Sequence, residues 1–251
     1  LHSMNNPTSS DNWFETWFAS PYYAMLYAHR DDKEAELFID NILKYLPLNN
    51  QAKILDIACG EGRHAAYIAS KGYDVQGIDL SERSISIAKA KEHQHLKFSV
   101  EDMRTVVKAN HFDVVFNCFT SFGYFDTQSE NQLVANAFAA QLKEGAYLIF
   151  DFLNVHKTIK NLVERESKTI DNITFHITRK LDQGFIIKTI EVEDPQQGNL
   201  VFHEKVAALD KERIAQFFIQ AGLHQISIFG SYRLEEFKEE ESDRLIYIFK
   251  K

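Results

Sequence analysis

KILDIACGEGRHAAYIASKGYDVQGIDL, residues 53 to 80, is the stretch whose reading decides the fold. It runs as strand, glycine turn, helix, second strand and terminal acid. Ile54, Leu55 and Ile57 make a short apolar run bounded by a turn, the mark of a buried parallel strand. Gly60 and Gly62 bracket a tight turn in which no Cβ keeps a ligand from the backbone. His64 to Ser70 carries helix formers, and Gly72 supplies a stop. Tyr73, Val75 and Ile78 resume as a second strand that ends on Asp79. A carboxylate at that strand tip can accept both hydroxyls of a ribose, so the unit reads as a nucleoside holder.

Which nucleoside derivative it holds is the next question. Gly60-Glu61-Gly62-Arg63-His64-Ala65 fits the dinucleotide pattern G-x-G-x-x-A, with Asp79 near the expected ribose distance. Three features pull away from NAD. Asp56 lies four residues before Gly60, in position to face the amino group of a ligand that carries an amino acid. Some fifty residues precede the first strand. A second acid, Asp102, follows the next apolar stretch, Leu96 to Val100.

Working outward, the 251 residues permit one large domain or two small ones. A 45% hydrophobic content with twenty Phe supports an aromatic core. No apolar run approaches the ~20 residues needed to span a bilayer, and no signal peptide is visible. Leu1-His2-Ser3 ahead of Met4 reads as an added remnant. Cys59 and Cys118 fall at strand ends and make no disulfide framework, which points to a reducing, cytoplasmic setting. The net charge of −8 disfavours nucleic acid as substrate, because phosphate neutralisation needs a basic surface.

Residues 11 to 46 are helical in pattern and rich in aromatics up to Pro47, with Trp13, Trp17, Tyr22, Tyr23 and Tyr27 in the first half. They read either as a lid over a ligand or as an amphipathic helix packed on the core. Strands are expected at 53–58, 74–79, 96–100, 112–117 and 146–151, alternating with helices, which signals a parallel sheet. The helix before the last of these is expected over Glu130 to Leu142, stopped at Gly145. Beyond Asp151 the period changes to two. Ile173 to Thr178, Phe185 to Val192 and Leu200 to Val206 read as a three-stranded antiparallel meander, separated by Asp182-Gln183-Gly184 and Pro195 to Gly198. A helix over Lys211 to Ala221 and strands at Ile226 to Phe229 and Leu245 to Phe249 complete the chain.

The ordered set Asp56, Gly60, Gly62, Asp79 and Asp102 resembles the class I S-adenosylmethionine-dependent methyltransferases. Their D-x-x-x-G-x-G falls on Asp56, Gly60 and Gly62, their ribose acid on Asp79, their adenine-side acid on Asp102 beside Met103, and their fourth-strand segment on Phe112 to Asn117. Phe119-Thr120-Ser121-Phe122-Gly123-Tyr124 is similar to a segment of the sugar N-methyltransferases, which also carry extra strands after the fifth. The resemblance implies an α/β fold: a Rossmann-like, doubly wound, mostly parallel seven-stranded sheet with an antiparallel C-terminal hairpin strand and an inserted antiparallel meander. It implies one methyltransferase domain over 1–251, with a helical lid at 11–46 and the meander at 155–209.

The resemblance also implies roles. The Gly60–Gly62 turn and Asp56 hold the methionine end of S-adenosylmethionine, Asp79 its ribose and Asp102 its adenine. Leu80, Met103 and Phe119 cover the ring. Ala58, Arg63 and Asn117 complete the near wall, and Tyr23, Tyr27 and Arg30 belong to the lid. The product is S-adenosylhomocysteine, and no metal is needed. Methyl transfer from a sulfonium is an in-line displacement, so the protein chiefly supplies alignment and a dry site. Candidates for a general base are Tyr124, past the fourth strand, and His203, on the meander, with His156 as a third. The expected acceptor is nitrogen or oxygen of a small polar molecule, and the expected state is a monomer or homodimer with no nucleic-acid or membrane partner. The rivals are an NAD-dependent oxidoreductase and a nucleoside-binding protein without activity. The meander is expected to line the acceptor pocket, with His176, His203 or Glu204 reaching in; its alternative is a dimer interface.

Overall fold

The computed structural model describes residues 13–27 and 32–251. Three helices open the chain: α1 (Trp13–Phe18), α2 (Pro21–Leu26) and α3 (Asp32–Tyr45). Ser20 caps α2 by accepting from the Tyr22 backbone N–H, and Pro21 sits where its missing N–H costs nothing. Then come β1 (Lys53–Ile57), α4 (Arg63–Ser70), β2 (Asp74–Asp79), α5 (Glu82–Ala88), β3 (Leu96–Val100), β4 (Phe112–Asn117), α6 (Gln128–Gln141) and β5 (Leu142–Leu153), strands and helices alternating except that β3 leads to β4 through turns where the sequence pattern implied a helix. After α7 (Val155–Lys160) come β6 (Arg165–Ile170), β7 (Ile173–Asp182), β8 (Phe185–Asp194) and β9 (Gly198–Ala207). The chain ends with α8 (Lys211–Gln220), β10 (His224–Phe229) and β11 (Arg244–Lys250).

Seven strands form one sheet in the order β10-β11-β5-β4-β1-β2-β3. β1 pairs in parallel with β2 on one side and β4 on the other, which sets the topological switch point at its carboxyl end. β11 alone runs against the rest, antiparallel to both β5 and β10. The expected Rossmann-like sheet with its reversed C-terminal strand is therefore the observed one. β6-β7-β8-β9 form a second, wholly antiparallel sheet.

Apolar side chains fill both faces of the large sheet. One cluster gathers Phe38, Ile42, Ile54, Ile68, Phe98 and Phe116 under α3 and α4. The other runs without a break from Phe122, Phe138, Phe150 and Phe218 through Phe175 and Ile190 of the second sheet to Trp13 and Trp17 of α1.

Three further sequence expectations need correction. The meander has four strands rather than three. β6, Arg-Glu-Ser-Lys-Thr-Ile, is polar and almost wholly exposed at the sheet edge, so it carries no apolar alternation to read. The helix expected to run to Leu142 and stop at Gly145 ends at Gln141, and β5 begins at once. Gly145, at φ +78°, belongs to the strand near the point where β5 shifts register against β4. The helical region before Pro47 is not one helix: Ser20-Pro21 separates the short α1 from the short α2, and the 14-residue α3 follows from Asp32.

Candidate active site

A cavity of about 820 Å³ opens beyond the carboxyl ends of β1, β2 and β4. Its floor is the turn after β1, in which Ala58, Gly60 and Gly62 have φ of +59°, +55° and +77°. The Cys59 N–H donates to the Ile78 carbonyl at 2.9 Å and the Gly62 N–H to the Cys59 carbonyl at 3.0 Å, so the turn is tied to β2 and to itself. A Cβ at Gly62 would meet the Phe98 ring at 2.5 Å, and one at Gly77 would meet it at 2.6 Å. Gly62 thus lets α4 start tight against the sheet. Unlike Gly60 and Ala58, it does not line the cavity.

Asp56, next to last in β1, lies beneath this turn, 1% exposed. The Ala65 backbone N–H donates to its carboxylate, while Oδ2 is buried without a hydrogen-bond partner. Burial, and next the charge of Asp79, push Asp56 up to about 7. Such an oxygen, on a residue that lines the cavity, is an opening for a cationic donor.

Asp79 accepts from the Ser81 N–H through Oδ1 and the Gly60 N–H through Oδ2, both at 2.8 Å. Burial raises its carboxyl against the pull of those two donors. The acid shapes two turns, and each oxygen keeps a lone pair for a further donor. Asp102 also lines the cavity, but its carboxylate is paired with Arg104, at 3.0 Å to Nε and 2.6 Å to Nη2. Burial works to raise Asp102, and Arg104 overcomes it, leaving the group below its ordinary value. Leu80 and Met103 stand beside these acids, with Leu80 exposed.

On the β4 side, Arg63 and Phe119 line the cavity, the guanidinium 5.3 Å from the ring centroid. Asn117 does not. It is fully buried, and its amide donates to the carbonyls of Ile57 at 3.2 Å and Ser121 at 3.1 Å, so it fastens the end of β4. Tyr124 lines the cavity with its hydroxyl donated to the Thr120 carbonyl at 2.8 Å and its ring against Trp13 and Phe18. His156 pairs with Glu240 at 2.6 Å, outside the cavity lining. Cys59 and Cys118 reach the cavity wall, and burial pushes both thiols up, keeping them protonated near neutral pH.

The roof is the amino-terminal pair of helices. Phe14, Phe18, Tyr23 and Tyr27 line the cavity, Trp17 and Tyr22 are buried against Phe202 of the second sheet, and Trp13 packs among Phe14, Phe18 and Tyr124. One face of these helices thus looks onto the cavity and the other onto the core. Arg30 lies outside the described residues. The second sheet holds the roof from behind. Glu204 Oε1 accepts from Trp17 Nε1 and Tyr27 Oη, each at 2.7 Å. The nearly buried Lys188 donates to Tyr27 Oη and stands 3.5 Å from Glu204 Oε2. Tyr22 Oη donates to Asp194 at 2.7 Å.

Among the described residues, none of the second sheet lines the cavity, because α1 and α2 intervene. His203 is corrected on the same ground. Adjacent strand residues face opposite ways, so the residue beside Glu204 points outward, exposed, with Nδ1 3.3 Å from Thr189 Oγ1. His176 is likewise taken up by Ser167 and Glu193. The Glu204–Tyr27–Lys188 cluster was legible only as a wet-face residue, since nothing in the sequence ties position 204 to 27.

Residues 54–145 match the family described as a methyltransferase domain. YqeM of Bacillus subtilis, a candidate methyltransferase by name, is 35% identical over 116 residues, 45% of this chain and 46% of that protein. The dTDP-3-amino-3,4,6-trideoxy-alpha-D-glucopyranose N,N-dimethyltransferase of Streptomyces venezuelae is 26% identical over 153 residues, 59% of this chain and 64% of that protein. The chain spans about half the length of the first curated relatives it matches. A crystal structure of an S-adenosylmethionine-dependent methyltransferase from Clostridium acetobutylicum superposes with a TM-score of 0.78 at 19% identity, over 93% of this chain and 97% of that one. No helix among the described residues is long and apolar enough to cross a membrane.

Proposed function

From the premise that this chain carries a methyltransferase domain of the S-adenosylmethionine-dependent class, we propose that it methylates the nitrogen of a small polar amine. The observation that carries the reading is the unpartnered Oδ2 of Asp56 at the floor of a cavity roofed by aromatic rings. An α-ammonium group is the donor that oxygen lacks. S-adenosylmethionine, when bound, supplies a methyl group already activated by the sulfonium charge.

The chain's own residues do the rest. Asp56 and the Gly60 turn hold the amino-acid end. Asp79 receives the ribose hydroxyls on the lone pairs its backbone donors leave. Leu80 and Met103 cover the adenine, and Asp102 reaches its amino group while keeping Arg104. Phe14, Phe18, Tyr23, Tyr27 and Tyr124 exclude water around the reacting centre, and their ring faces favour an amine that gains positive charge as it is methylated. Tyr124 serves as an aligning residue, its proton already committed to the Thr120 carbonyl. An amine that enters neutral needs no dedicated base.

The whole chain works as one catalytic unit in this reading, because the second sheet shares a continuous core with the first and holds the roof. A panel of small amines and alcohols, assayed for S-adenosylhomocysteine release, tests it. Turnover of alcohols alone would move the reading to oxygen. No release with any acceptor, together with no S-adenosylmethionine binding, would overturn it.

A further inference from the structure

Phe119 and Thr120 follow β4 with φ of +58° and +64°. Two consecutive non-glycine residues in the left-handed region are costly, and a β-branched Thr there is a backbone outlier. Strain of this kind persists only when the surroundings hold it. Here the holding group is Asp151 of β5, 0% exposed. Its Oδ2 accepts from the Phe119 N–H at 2.8 Å, and its backbone carbonyl accepts from the Thr120 N–H at 3.0 Å. The carboxylate is fixed in turn from the C-terminal part of the chain. Arg244 Nε of β11 donates to Oδ1 at 2.8 Å, and Tyr232 Oη, from the segment before β11, donates to Oδ2 at 3.0 Å. Arg244 Nη2 also donates to Thr120 Oγ1 at 3.1 Å. The turn aims the Phe119 ring into the cavity, where it stacks on His64 with centroids 4.9 Å apart.

We propose that Arg244 and Tyr232 are positioning residues for the methyl donor, holding the Phe119–Thr120 turn through Asp151 so that the Phe119 ring keeps its place in the cavity wall. The inference rests on the methyl-donor reading of that cavity. Neither residue lines the cavity, so each acts through Phe119 and Thr120: Arg244 by way of the turn, and Tyr232 also by its ring, whose centroid lies 5.5 Å from that of Phe119. A purely structural role, stitching β5 to β11, would affect stability without a specific link to residue 120.

The test uses that link. Arg244→Lys keeps the charge but loses the fork that spans Asp151 and Thr120. It should weaken S-adenosylhomocysteine binding about tenfold by calorimetry, the loss expected of one charge-assisted hydrogen bond. Adding Thr120→Gly, which adopts a positive φ without strain, should restore affinity to within about threefold. Independently of any ligand, the Phe119 and Thr120 amides should exchange hydrogen faster in Arg244→Lys than in the wild type. Tyr232→Phe, which leaves the ring and removes one donor, should give a smaller loss in the same direction and serves if Arg244→Lys does not fold. Wild-type affinity and exchange in the folded variants, or a loss that Thr120→Gly does not restore, would overturn the proposal. Failure of the wild-type protein to bind S-adenosylhomocysteine would instead sink the donor reading, while the exchange data still judge the hold on the turn.

Discussion

The two sheets organise the cavity in opposite ways. The parallel sheet works by backbone: left-handed residues at 58, 60 and 62, a carboxyl end at the switch point, and acids whose oxygens are set by main-chain N–H groups. The antiparallel sheet works by side chains alone. It sends no residue to the cavity wall and grips the roof through Glu204, Lys188 and Asp194. A backbone-built site tolerates little, because each position is fixed by covalent geometry and close packing. A roof held by exchangeable polar contacts should tolerate more and should change acceptor handling before donor binding.

The hardest blow to that contrast is aimed at Gly62. Gly62→Val adds a side chain at φ +77° and pushes it into Phe98. A left-handed cost of about 1–3 kcal/mol and overpacking of about 1–3 kcal/mol together predict a loss of roughly 2–6 kcal/mol in urea unfolding. A variant as stable as wild type would show that the turn is not fixed by packing. Next is Asp79→Ala. A charged hydrogen bond contributes about 1.5–3 kcal/mol, so S-adenosylmethionine affinity should fall roughly tenfold to a hundredfold by calorimetry. If only the melting temperature falls, Asp79 is a turn-former and nothing more.

Asp56 gives the same region a pH signature. Its folded value of about 7 lies above the ordinary 3.8, so between those values the folded protein holds a proton that the unfolded chain has lost. Stability of the ligand-free protein should therefore decline as pH rises from about 4 through about 7 and level off above. An ammonium ligand needs the ionised form, so affinity should be greatest above pH 7 and fall about tenfold for each unit below it. Asp56→Asn should abolish both trends. A flat wild-type affinity between pH 6 and 8 would break the assignment.

Glu204→Gln should be gentler. It removes the charge behind Trp17 and Tyr27 while leaving an oxygen to accept, so acceptor kcat/KM should fall about tenfold or less, with S-adenosylhomocysteine affinity nearly unchanged. Equal losses in both would erase the distinction between the sheets. His203→Ala is the smallest. An exposed side chain on the outward face should shift stability by no more than about 0.5 kcal/mol and leave turnover alone.

What the sequence revealed follows the same divide. The β1–α4–β2 unit was legible because apolar runs, spaced glycines and a terminal acid each have one local meaning. Ala58, Phe119 and Thr120 were opaque in their backbone, because nothing about alanine, phenylalanine or threonine announces a positive φ; only the finished contacts impose it. β6 was invisible because an exposed edge strand needs no apolar pattern. On β9 the alternation was readable but its phase was not. The pattern offers both His203 and Glu204 as inward candidates, although neighbours on a strand cannot share a face; Glu204 is the one that faces the roof. Asn117 matched a motif position yet serves two carbonyls of the frame.

Phe98 has a consequence for the order in which this chain can accept substitutions. One ring fills the space that a Cβ at Gly62 or at Gly77 would need. The two glycines are therefore epistatic to the same neighbour, but not alike. Gly77 lies within β2 and is not among the positive-φ glycines, so packing alone forbids a side chain there, from the Phe98 ring at 2.6 Å and Cys59 Sγ at 2.9 Å. Gly62 is held by both the ring and its left-handed φ. Shrinking Phe98 to Ala, itself costing about 3–5 kcal/mol, removes the nearest obstacle to Gly77→Ala and leaves Cys59 Sγ to give way, while Gly62→Ala still carries a left-handed cost of about 1–3 kcal/mol. Order of arrival then matters: a lineage that loses the ring first can refill its space from the second strand at less cost than from the first turn, where the left-handed backbone still favours glycine.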